Sequence, residues 1–208
     1  MTRSRSTTLE QAILDETRRV LLSEGHTQLS MRRIASAVGC TATSIYLYFN
    51  NKDALIHALI DEGMEKLYGE LQAAVEGVDD PAERLERLCR TYVGFGLENA
   101  EYYEVMFMLH PKQMERYPAE KYRKARRNLD IFGEAMAAIL GEQEGARRDL
   151  KIAATVIWSS LHGTVSLQIA QRTDVSIPQA DLIEEAVRHA MQIVDRLPAP
   201  APKPPEAR

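Results

Sequence analysis

Two cysteines in 208 residues, Cys40 and Cys89, are too few and too poorly spaced for a disulfide framework or a zinc site. Long apolar runs are missing too, and no stretch approaches the ~18–20 residues that cross a bilayer. Met1–Thr8 carries Arg3 and Arg5 but lacks the apolar segment of a signal peptide. β-branched alternation bounded by turn residues is absent, which excludes a sandwich or a barrel. The histidines (His26, His57, His110, His162 and His189) show no metal-pair spacing, and neither a G-x-S-x-G elbow nor a phosphate-cradling glycine loop occurs. A hydrolase would have to be assembled from Ser159 or Ser160 with His162, and no acid partner is evident. These absences point to a soluble, cytoplasmic chain that is not an enzyme and needs neither cofactor nor metal.

What is present is an uneven charge. The whole chain has a formal net charge of -4. Residues 1–52 hold seven basic side chains (Arg3, Arg5, Arg18, Arg19, Arg32, Arg33, Lys52) against four acids (Glu10, Asp15, Glu16, Glu24), a net +3 that leaves -7 for the rest. A basic front on an acidic body is expected when one end meets a polyanion.

Helical periodicity runs through almost the entire chain, so the expected class is all-α. Leu9, Ala12, Ile13, Val20 and Leu21 share one side of a first helix that Gly25 can end as a left-handed cap. Ser30 stands where an N-cap belongs ahead of MRRIASAV, Gly39 closes that helix, and Thr41 is the next candidate cap, before ATSIYLY. Asn50 and Asn51 are alternative caps for a long helix from Lys52. Further helices are predicted near 81–97, 101–109, 118–140, 147–171 and 179–196. The expected organisation is a three-helix N-terminal domain over 1–52, a larger helical domain over 53–197, and a disordered Pro/Ala-rich tail over 198–208.

Short helix, glycine-containing turn, short helix is the outline of a helix-turn-helix, whose second helix enters the DNA major groove. Ile34, Ala35, Val38, Ile45 and Phe49 would pack the two helices, turning Ala42, Thr43, Ser44, Leu47 and Tyr48 outward. Thr43 and Ser44 suit hydrogen bonds to bases, and Ala42 and Leu47 suit a thymine methyl. Tyr46, Tyr48 and Lys52 suit phosphate oxygens, while Arg32 is long enough for guanine or phosphate.

Residues of about 9–55 resemble the DNA-binding domain of the tetracycline-repressor (TetR) family of bacterial transcription regulators. The matching residues are Gly25, Ser30, Ile34-Ala35, Val38-Gly39, Ser44-Ile45-Tyr46, Tyr48-Phe49, Asn51-Lys52 and Leu55. Cys40-Thr41 stands in for the family's small aliphatic residue and serine, and Thr43 replaces a frequent glycine. The resemblance implies phosphate contacts by Ser30, Tyr46, Tyr48 and Lys52 and base contacts by Arg32, Thr43 and Ser44. It also implies repression of an inverted-repeat operator by a homodimer, with release by a small-molecule effector.

In the acidic body, IWSSLHGTVSLQIA and EYYEVMFML resemble a subgroup of that family with a Trp-Ser-x-x-His-Gly signature. Helical spacing groups Tyr103, Met106, Phe107 and His110 on one face, and Trp158 with His162 on another. These are the candidate pocket residues for a largely apolar effector. Ala153, Ile157 and Leu161, with Ala186, Val187, Ala190 and Ile193, are the candidate dimer contacts, because two recognition helices about one DNA turn apart are needed to read an inverted repeat. A redox-responsive regulator acting through Cys40 is the alternative within the same class.

Overall fold

Local chemistry sets the helix boundaries at the front of the chain. In the computed structural model, which describes residues 2–109, 117–140 and 147–195, Ser30 Oγ accepts the Arg33 N–H at 3.3 Å. Gly39, left-handed at φ 76 and ψ 31, ends the helix that Ser30 began. Thr41 repeats the device, its Oγ1 accepting the Ser44 N–H at 3.1 Å. Of the two asparagines ahead of the long helix, Asn51 is the cap, with Oδ1 taking the Ala54 N–H at 2.8 Å. Gly25 uses a positive φ of 83, but with ψ 168 it leaves α1 extended rather than in the left-handed conformation expected of it.

The elements are α1 (Thr2–Glu24), one 3-10 turn (His26–Gln28), α2 (Met31–Val38), α3 (Ala42–Tyr46), α4 (Lys52–Val75), α5 (Pro81–Glu98), α6 (Ala100–Tyr103) continued by a π-helical turn (Glu104–Met108), α7 (Ala119–Leu140), α8 (Arg147–Ile169) and α9 (Gln179–Asp195). No strand occurs among the described residues, and none of their helices is long and apolar enough to cross a membrane. The fold is all-α. The predicted tail over 198–208 lies outside the described residues.

The chain divides into two units, Met1–Lys66 with Asn99–Ala125, and Leu67–Glu98 with Arg126–Arg208. This partition departs from a break at residue 52, and the reason is burial. The first turns of α4 insert Leu55, Ile56, Leu59 and Ile60 into the same core as Ile13, Val20, Ile34 and Ile45, and Val105 joins them. Each such aliphatic contributes about 1.5–3 kcal/mol by leaving water. Gly63 lets α4 run close to the π-helical turn, since a Cβ there would lie 2.4 Å from the Met106 sulfur. Thr17, fully buried on α1, satisfies its hydroxyl by donating to the Ile13 carbonyl at 2.7 Å.

In the second unit α5, α8 and α9 pack against one another. Leu85, Leu88, Phe95, Ile157, Leu161, Val165, Val187 and Ala190 are buried there, and Phe132 and Met136 of α7 are buried in the same unit. Arg90 joins α5 to α9 through a two-pronged pair with Glu184 at 2.8 and 2.9 Å. The pair holds the Glu184 carboxyl below the usual carboxylate range.

Because Asn51 rather than Asn50 accepts the Ala54 N–H in the first turn of α4, the two residues should respond differently to removal. Asn51→Ala is expected to lower unfolding free energy by about 1 kcal/mol. Asn50→Ala should stay within about 0.5 kcal/mol of the parent, as surface changes usually do. Urea denaturation of the two variants checks this, and equal effects would contradict the capping role.

Candidate nucleic-acid interface

The candidate interface is built on α3, which is only five residues long. A helix that short has no stability of its own. It is held from beneath by Ile45 and Phe49, both buried in the core of the first unit, and from its start by Thr41. The turn between α2 and α3 is fixed by Gly39 and by the Cys40 N–H donating to the Ala35 carbonyl at 2.9 Å. With those anchors in place, the remaining side chains have little choice of direction.

Thr43 and Tyr46 are exposed on α3, and Leu47, immediately after it, is 81% exposed. A leucine held in water on a rigid turn has no role in the core of its own unit. Ser44 differs from the expectation. It is half-buried, and its hydroxyl lies 2.8 Å from Thr41 Oγ1, so the two hydroxyls are engaged with each other in the cap. Tyr48 is half-buried too, its ring 6.4 Å from that of Phe49 and packed against the core. Ala42 is likewise half-buried, while Ser30 and Arg32 are exposed at the start of α2. Lys52 opens α4 and is half-buried.

The charge on this unit is less available than the sequence suggests. Arg18 lies 2.8 Å from Asp15, 3.5 Å from Glu101 and 3.9 Å from Glu62, with its guanidinium over the Tyr102 ring at 4.4 Å. Arg19 is forked onto Glu16 at 2.7 and 2.9 Å, and Arg33 is bound to Glu24. Arg19 holds the Glu16 carboxyl below its ordinary value. Among the described residues neither Arg32 nor Lys52 makes an ion pair; the side chains of Arg3 and Arg5 lie outside them. Around α3 the described residues thus present Arg32 and Lys52, hydroxyls, the Tyr46 phenol and the exposed Leu47.

The effector candidates form two clusters, one in each unit. In the first, Tyr103 is fully buried and Phe107 meets it edge-on at 4.9 Å, with Met106 buried on the same π-helical turn. His110 lies outside the described residues. In the second, Trp158 Nε1 donates to Tyr92 Oη at 2.8 Å, Tyr92 Oη lies 3.4 Å from His162 Nδ1, and the Trp158 and His162 rings are 5.2 Å apart. Burial pushes the His162 imidazole below its ordinary value. Tyr92 was invisible to motif reading, because α5 shows only an apolar stripe; its signal was a tyrosine at a position fully covered by neighbours.

The dimer candidates differ in how much surface they keep within their own unit. Ala153, Ile157, Leu161, Ala186, Val187 and Ala190 are buried within the second unit, and Ile193 is half-buried. Packing among α5, α8 and α9 covers most of that face within the unit, and Ile193 is the candidate that keeps the most surface. The apolar residues that α8 does expose are Ile152, Val156 and Leu167. Burial pushes the Cys89 thiol up to about 12, and Cys40 is half-buried in its turn. Ser159 donates its hydroxyl to the Thr155 carbonyl at 2.7 Å, which opposes a nucleophile role beside His162. No metal-holding group of His, Cys, Asp or Glu occurs among the described residues.

His26, in the 3-10 turn, has its Nε2 buried without a hydrogen-bond partner. Its pKa is lowered, first by burial and then by the charge of Lys52. The folded unit therefore favours neutral imidazole. Its contribution is complete above the unfolded value of about 6.5 and declines as pH falls below that. Thermal melts at pH 7 and pH 5.5 should show a loss on acidification that is smaller in His26→Gln, and an identical loss in both proteins would contradict this.

Residues 13–59 match the model of bacterial regulatory proteins of the tetR family, and residues 85–190 match the tetracyclin repressor-like C-terminal domain. An uncharacterised HTH-type transcriptional regulator of Mycobacterium tuberculosis is 33% identical over 73 residues, 35% of this chain and 36% of that protein. One from Haemophilus influenzae is 43% identical over 54 residues, 26% of this chain and 29% of that protein. The chain thus matches about a third of the length of these curated relatives. Solved structures align over much more. SCO4313, described as a regulatory protein, reaches a TM-score of 0.78 at 23% identity over 92% of this chain and 100% of that one. A TetR-like transcriptional regulator from Rhodococcus sp. RHA1 reaches 0.65 at 18% identity over 90% of this chain and 94% of that one. The chain belongs to the TetR family of bacterial transcription regulators, with its DNA-binding helix-turn-helix in the N-terminal match.

Proposed function

We propose that this protein is a ligand-responsive repressor that binds an inverted-repeat operator as a homodimer and is released by a small, largely apolar effector. The observation that carries the DNA-reading part is the exposed set Thr43, Tyr46 and Leu47 on a rigidly anchored α3, with Ser30, Arg32 and Lys52 exposed or half-buried at the starts of α2 and α4. Thr43 and Leu47 inspect base edges, the leucine by contact with a thymine methyl. Ser30, Tyr46, Tyr48 and Lys52 hold phosphates and set the register. Ser44 serves the cap more than the bases, since its hydroxyl is engaged with Thr41.

For the homodimer, the exposed Ile152, Val156 and Leu167 of α8 supply the apolar surface that the buried positions do not. An effector acts only through a difference in affinity between two arrangements of the dimer. The Tyr92–Trp158–His162 network offers polar groups set in an apolar second unit, the chemistry expected of such a ligand site. Ser159 back-bonded to its own helix and His162 bonded to Tyr92 give no support to a hydrolase. Buried Cys89 offers no second thiol for a redox switch at Cys40.

Lys52→Ala should weaken binding to a duplex selected by the wild-type protein from a random pool. It should also flatten the salt dependence by about 0.9 per head in log–log slope, the loss of one phosphate contact. Tyr46→Phe should lower affinity several-fold with no change in that slope, because its donor is neutral. Filter binding across salt concentrations reads both, and unaltered binding in both variants would overturn the assignment.

A further inference from the structure

Glu24 stands in a place that local physics disfavours. It is the last residue of α1, where the helix dipole is negative and a carboxylate is repelled, and no basic residue in the last turn of α1 offsets it. What holds it is tertiary. Both of its carboxylate oxygens accept from Arg33 Nη2, and Arg19 Nη1 lies 3.8 Å away. Arg33 occupies the first turn of α2, its own N–H donated to Ser30, next in sequence to the exposed Arg32. A guanidinium at that location, beside a candidate phosphate contact, would otherwise be a further cation on the DNA-facing end of α2.

We propose that Glu24 is a positioning residue for operator specificity: by holding Arg33 it withdraws one cation per head from the DNA, so that sequence-independent attraction stays low. The inference rests on the DNA-binding reading of α2 and α3. Its physical basis is that phosphate neutralisation by Lys and Arg supplies nearly all non-specific affinity, whereas base contacts supply discrimination. Arg32 and Lys52 provide enough charge to hold the backbone. A third cation would strengthen binding to every duplex alike and dilute the contribution of Thr43 and Leu47. Arg19, forked on Glu16, keeps its own charge occupied and does not take the place of Arg33 on Glu24.

The test uses the full-length protein, a duplex recovered by the wild type from a random pool, and a random-sequence duplex of equal length. Glu24→Gln releases Arg33. It should raise affinity for the random duplex, lower the specific-to-random ratio, and steepen the log–log salt slope by about 0.9 for each head that gains a phosphate contact. A merely structural role would weaken both duplexes together and leave the slope alone, and that result overturns the proposal, as does an unchanged slope in a folded variant. Arg33→Gln covers the case in which Glu24→Gln fails to fold. Its slope should equal the wild type's, and a flatter slope would show that Arg33 already grips DNA. Wild-type protein that recovers no duplex would instead sink the operator reading itself, separately from this one.

Discussion

The burial of Ile45 and Phe49 is the constraint on which the rest of the DNA-reading unit depends. A five-residue helix pays the full nucleation cost and recovers almost none of it through its own hydrogen bonds. Its geometry is therefore borrowed from the core into which α1, α2 and the first turns of α4 deliver Ile13, Val20, Ile34, Leu55 and Leu59. Because the two anchors point down, Thr43, Tyr46 and Leu47 point out, and the caps at Ser30, Thr41 and Asn51 fix where each helix starts. Function at this surface is a consequence of packing beneath it.

Electrostatics is then laid over that scaffold with economy. The basic front of the sequence is an accurate count and a misleading picture, since Arg18, Arg19 and Arg33 are turned toward acids of the same unit. Arg18 links α1, α4 and α6 through Glu62, Glu101 and the Tyr102 ring, which makes it part of the architecture. Around α3 the described residues offer Arg32 and Lys52 with a set of neutral donors. Such a surface favours recognition that depends on hydrogen-bond geometry over recognition by bulk charge.

Helix placement was legible in the sequence because its signals are local. Caps, glycine turns and 3.6-residue periodicity are properties of neighbours along the chain, and the helices expected near 81–97, 118–140 and 179–196 appear within a residue or two of those bounds. What was illegible depends on distant partners. The hydroxyl of Ser44 reads as a base contact by spacing, and its 2.8 Å contact with Thr41 Oγ1 is not visible there. The apolar stripes of α8 and α9 fit a dimer interface and a core equally well by spacing; only burial shows that Ile157, Leu161 and Ala190 belong to the core. Tyr92 carries no motif at all and becomes visible once Trp158 donates to it. The extension of the first unit into α4 and the π-helical turn follows from Val105 and Gly63, which no propensity scale would single out.

In the proposed mode of binding, side chains projecting from α3 read base edges while the surrounding groups hold the backbone. Selection from a random duplex pool, repeated with Thr43→Ala, tests it most directly. The wild type should enrich an inverted repeat. The variant should relax preference at one symmetry-related pair of positions while keeping the wild-type salt dependence. Enrichment without two-fold symmetry, or an identical preference in the variant at every position, would contradict it.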